Sequence, residues 1–150
     1  MLENARLLAE IRTQDVGPFR VTGHRLALES LRRVFHLVKG AKPQLFAQVG
    51  SAGMLCSRAV RGPGSPDPKR WKFSNHAWGT AIDLTFGYTD RVGDGMCQAG
   101  LLELYPYFHG EGWYWGAEFG PSREDSMHFE LAEETILSWF GNPLPRNDGV

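Results

Sequence analysis

The chain lacks most of the features that would send it to a nucleic acid, a membrane or a disulfide scaffold. Its 16 Lys+Arg and 17 Asp+Glu leave a formal net charge of −1, and no Lys/Arg run disturbs the balance, so nucleic acid is not an expected partner. No apolar stretch is long enough to span a bilayer, so no membrane is expected either. Met1-Leu2-Glu3-Asn4 offers neither a basic nor an apolar leader region, and no signal peptide is expected. Cysteine is scarce: Cys56 and Cys97 are far apart, form no Cys-x-x-Cys pair, and read as free thiols of a chain made in a reducing compartment. There is no repeat and no low-complexity tract. The acidic stretch between Phe86 and Gly95 lacks the ligand pattern of an EF-hand loop, which argues against calcium.

What remains is 150 residues of ordinary globular composition, rather loop-rich with 18 Gly and 9 Pro, and enough for one domain over 1–150. Leu2, Ala5, Leu8 and Ile11 predict a helix over 2–13, broken at Gly17-Pro18. A second helix is predicted from His24 or Arg25 to Val38, with Leu28, Leu31, Phe35 and Val38 as its buried stripe, Thr22 as N-cap and Gly40 as the stop. Gln44 to Val49 reads as a strand, Gly50 and Gly53 as a turn, and Met54 to Arg58 as an extended segment. Three prolines and two glycines make 61–72 a long loop, whose Lys69, Arg70 and Lys72 read as keeping it soluble, with contact to a substrate carboxylate as the alternative. A third helix is predicted over Ala99–Phe108, limited by Pro106, then a Trp113–Trp115 strand and a last helix from about Ala132 to Phe140.

The chemistry sits in two stretches. In Ser74-Asn75-His76-Ala77-Trp78-Gly79-Thr80-Ala81-Ile82-Asp83-Leu84, an imidazole and a carboxylate are separated by small and apolar residues. Ala81, Ile82 and Leu84 read as a strand, and a carboxylate set into it is costly unless paired or bound to a metal. Downstream, Met127, Phe129 and Leu131 alternate with Ser126, His128 and Glu130, which is the strand period and turns His128 away from the core. His76, Asp83 and His128 make a three-ligand zinc site with the fourth position left to water. Glu130 shares the His128 face and reads as a partner of that ring or a substrate contact. His24, His36 and His109 fit no motif. Trp78, Trp113 and Trp115 read as core before cleft wall.

Together, Ser-x-His-x-x-Gly-x-Ala-x-Asp, Trp-Gly and Asp-x-x-His-Phe-Glu resemble the zinc D-alanyl-D-alanine carboxypeptidases, a group that includes the VanY and VanX type enzymes and the phage L-alanyl-D-glutamate endolysins. The resemblance runs from about Val21 to Phe140. It implies an α+β fold, with a small antiparallel sheet carrying the zinc on one face and helices on the other. It implies Zn2+ as cofactor and peptidoglycan stem peptides as substrate, cut at a bond involving a D-amino acid, by a monomer that reaches the wall or periplasm after release or delivery. It places a catalytic acid–base at Asp125, three residues before His128, with Glu124 as the alternative, and an arginine upstream of the first motif at Arg58, where it would hold the carbonyl oxygen as it becomes negative. D-Ala-D-Ala carboxypeptidase and L-Ala-D-Glu endopeptidase activity use the same site. The hedgehog signalling domain resembles this fold too, holds zinc and acts mainly as a binding module; the presence of Asp125 beside the full ligand set favours the enzyme.

Overall fold

The computed structural model describes residues 8–56 and 74–139. Arg58, the 61–72 loop and Phe140 lie outside them. The architecture is mixed α+β: a two-stranded hairpin, a four-stranded antiparallel sheet, and helices packed on one face of that sheet. Among the described residues no helix is long and apolar enough to cross a membrane.

The N-terminal part departs from the sequence reading. Leu8 to Glu10 are helical, but β1 (Ile11–Asp15) then pairs antiparallel with β2 (Arg20–His24), in the register Thr13 opposite Thr22. The turn between them is set by Gly17, whose φ is 120° and whose N–H donates to Asp15 Oδ1 at 2.8 Å. Thr22 therefore does not cap a helix: its hydroxyl pairs with that of Thr13 across the hairpin at 2.7 Å. The cap of α1 (Arg25–Ala41) is His24, whose Nδ1 accepts from the Leu26 N–H. Burial, opposed by nearby Glu10, lowers the His24 pKa and so favours the neutral ring that this cap requires.

Helix α1 buries the expected stripe, with Leu28, Leu31, Phe35 and Val38 fully enclosed. It runs through Gly40 and stops only where Pro43 forces the preceding residue out of helical geometry, Lys42 having φ −140° and ψ 67°. Pro43 then opens a short helix, α2 (Pro43–Gln48), in place of the predicted strand; its fixed φ suits a first helical position. The Gly50–Gly53 stretch, expected as a turn, is the edge strand β3.

The sheet order is β3-β4-β6-β5, with β4 at Ala81–Thr85, β5 at Trp113–Trp115 and β6 at His128–Leu131. One face is the core. Ile82 lies opposite Phe129, and Trp115 opposite Phe129 on the other side. Against these pack α1 and α3 (Ala99–Gly110): Phe108 meets Phe35, Trp113 and Phe129 with ring centroids 4.5–5.8 Å apart, and the Trp113 Nε1–H donates to Ser30 of α1 at 2.9 Å. Aromatic pairs of this kind contribute about 0.5–1.5 kcal/mol beyond their buried area. Both sheet tryptophans are thus core. Helix α3 continues past Pro106; the carbonyl four residues earlier, left without its helical donor, belongs to exposed Leu102. The last helix, α4 (Glu133–Ser138), follows β6, and its Ile136 packs on the core.

Candidate metal centre

The opposite face of the sheet carries the chemistry. The β4–β6 register sets Asp83 directly opposite His128, and the β5–β6 register sets Tyr114 opposite Glu130. Phe129 and Leu131 point into the core, so His128 and Glu130 take the other face, as the alternation in the sequence predicts.

His76 comes from outside the sheet, on a 3-10 turn (Asn75–Trp78) capped by Ser74, whose hydroxyl accepts from the His76 N–H. The turn ends on Gly79 at φ 66°, and a Cβ there would lie 2.6 Å from the His24 amide nitrogen. This close approach, with the His24 N–H donating to the Gly79 carbonyl at 2.9 Å, is why the motif has glycine three residues after its histidine. The glycine of Trp115-Gly116 has a similar reason. A Cβ on Gly116 would collide with the Asp125 carbonyl oxygen and press on the His128 Cβ.

Three ligand atoms converge. His76 Nε2, His128 Nδ1 and Asp83 Oδ1 are 3.1 Å from one another, pair by pair. Tetrahedral zinc with bonds of about 2.0–2.2 Å sets its ligand atoms about 3.3–3.6 Å apart. Tautomers strengthen the fit. His76 Nδ1 lies 2.7 Å from the Met54 carbonyl oxygen, which only accepts, so the proton of the neutral ring belongs on Nδ1 and the Nε2 lone pair faces the centre. His128 Nε2 donates to Glu130 at 2.8 Å, which turns the Nδ1 lone pair of its neutral ring inward as well. Two lone pairs and a carboxylate oxygen meeting at one buried point repel each other unless a cation joins them. No other group of three or more His, Cys, Asp or Glu among the described residues has this metal-ligand geometry.

The protonation of the centre shows the same demand for positive charge. Burial would raise the Asp83 pKa, but the His128 and His76 rings beside it outweigh that and hold the carboxyl well below the usual range. Burial would lower that of His128, but the carboxylates of Asp83 and Glu130 raise it to about 9. Glu130 is itself shifted down: burial opposes, and the His128 hydrogen bond prevails. A divalent ion would satisfy this demand in place of the His128 proton.

Asp125 lies in the turn before β6, half-buried, its N–H donating to the Gly116 carbonyl at 2.9 Å and its carbonyl accepting from the His128 N–H at 3.1 Å. Glu124 is buried, with its carboxylate accepting from the Gly95 N–H at 3.1 Å, so it is committed to a loop. A cleft of about 650 Å³ opens alongside, walled by Asn75, Tyr114, Phe119, Glu130 and Ile136. Phe119 packs on the His128 ring with centroids 5.8 Å apart. His36 and His109 are exposed and His24 is the helix cap, so none joins the centre. Both cysteines are free thiols.

Sheet and centre define an α+β architecture with a largely enclosed His-Asp-His group that could hold a metal. Residues 68–131, a segment that holds His76, Asp83, His128 and Asp125, match the family model described as D-alanyl-D-alanine carboxypeptidase. No curated protein matches the chain.

The role of Glu130 is the clearest detail that the sequence left open between two readings: its carboxylate accepts from the His128 ring. Glu130→Gln is expected to weaken zinc binding by about 10–100-fold, read by competition with a chromophoric chelator, because the amide orients His128 less firmly.

Proposed function

We propose that the protein is a zinc-dependent peptidoglycan peptidase that hydrolyses a stem-peptide bond involving a D-amino acid, of D-Ala-D-Ala carboxypeptidase type. The observation that carries this reading is the convergence of three ligand atoms at 3.1 Å inside a segment matching the carboxypeptidase family. Zinc held by His76, Asp83 and His128 would supply a Lewis acid and a water acidified to a pKa of about 7. The chain supplies the rest. Asp125 takes the proton of the attacking water and returns it to the leaving amine. Glu130 fixes the His128 tautomer. Arg58, outside the matched segment as well as the described residues, balances the charge that develops on the carbonyl oxygen. The substrate lies along the cleft beside Glu130 and Tyr114, and the enzyme works at the wall or periplasm after release or delivery.

Arg58→Ala is expected to bind zinc normally yet lose about 10²–10³ in turnover. Unchanged turnover would make Arg58 a surface residue. Mass spectrometry of muropeptides after digestion tests the bond: loss of a terminal D-alanine supports the carboxypeptidase, whereas a new D-glutamate N-terminus makes the protein an L-alanyl-D-glutamate endopeptidase.

A further inference from the structure

The turn that carries Asp125 is held by an element that the metal centre does not need. Between β4 and α3 the chain makes an irregular excursion over 86–98, organised by buried Gln98. The Gln98 amide accepts from the Phe86 N–H at 2.9 Å and donates to the Tyr88 carbonyl and to Asp90 Oδ1, both at 2.8 Å. The other Asp90 oxygen accepts from the Gln98 N–H at 3.1 Å and from the Ser126 hydroxyl at 2.7 Å. That last distance is short, as expected for a hydroxyl donating to a carboxylate. Ser126 is fully buried, and its carbonyl is gripped from the other side by the Trp115 Nε1–H at 2.6 Å. A second tie runs in the opposite sense: Glu124 accepts from Gly93 with its carbonyl at 2.8 Å and from Gly95 with its carboxylate.

The His128 side chain does not depend on these ties. It is fixed by the β4–β6 ladder, by Glu130 and by Asp83. Asp125 lies one residue before Ser126 and outside any strand, so its placement follows that of the turn. We propose that Asp90, acting through Ser126, is a positioning residue for Asp125, and that the 86–98 excursion serves to hold the catalytic turn in register with the metal centre. The catalytic half of this rests on the proposed function; the latch itself rests on the hydrogen bonds.

The test uses the zinc-loaded full chain as wild type, Ser126→Ala, Asp90→Ala and the double variant. Hydrogen–deuterium exchange at the Asp125 and His128 amides is expected to rise by at least about tenfold in each variant, with the Phe129 ladder unchanged. Turnover is expected to fall by about 10–10²-fold at constant KM, since misplacement of a reacting group costs on that scale. The visible spectrum of the cobalt-substituted protein should stay as in wild type. The double variant should lose no more than the worse single, because both residues act through one bond. Unchanged exchange in Ser126→Ala, losses that multiply in the double variant, an altered cobalt spectrum, or full turnover despite a loosened turn would each overturn the proposal. Should Asp90→Ala fail to fold, Ser126→Ala decides alone. If wild type cleaves no peptidoglycan, the proposed function falls, and the exchange measurement still decides whether the latch exists.

Discussion

Asp125→Asn is expected to lower peptidoglycan turnover by about 10²–10⁴-fold, the usual contribution of a positioned acid–base group. The substitution preserves shape and leaves in place the backbone bonds through which residue 125 meets Gly116 and His128. Zinc content should therefore equal that of wild type, since the converging atoms come from His76, Asp83 and His128. Glu124→Gln is the natural control. Its carboxylate is tied to the Gly95 N–H, so the change should loosen the 93–95 loop while leaving a proton acceptor at Asp125. A collapse of turnover in Glu124→Gln with Asp125→Asn fully active would exchange the two roles.

His128→Ala is expected to abolish both zinc retention and activity. Loss of an imidazole leaves two ligands where catalytic zinc takes three. It also strands Glu130, whose carboxylate is held by His128 Nε2, and leaves Asp83 with one imidazole partner. Elemental analysis after dialysis reads the outcome; full zinc occupancy in this variant would count against the ligand assignment.

The candidate metal centre was legible because its parts are local and chemically specific. His76 and Asp83 lie seven positions apart, and the alternation from Met127 to Leu131 fixes which way His128 points. The α+β class and the two-faced sheet followed from the resemblance those motifs carry. The turn position of Asp125 was legible too, since three residues back along a strand would put it on the wrong face. Less of the N-terminal third was readable. Ile11 fits a helical stripe and a strand equally well, and only pairing with β2 decides between them. Leu45 and Phe46 read as strand residues until Pro43 is seen as a helix start. Thr22 looks like a cap, but its hydroxyl is taken by Thr13 across the hairpin. The functions of Asp90 and Gln98 had no local signal. Asp90 meets Ser126 across 36 residues of sequence, and an Asp among glycines reads as solvated loop.

The most direct test of the account is digestion of purified peptidoglycan by zinc-loaded protein, with and without chelator, followed by mass spectrometry of the muropeptides. Stem peptides with new termini at a bond involving a D-amino acid are expected, none after chelation, with recovery when zinc is restored. Intact muropeptides under every metal condition, from protein shown to hold one zinc per chain, would contradict it and make the domain a zinc-containing binding module.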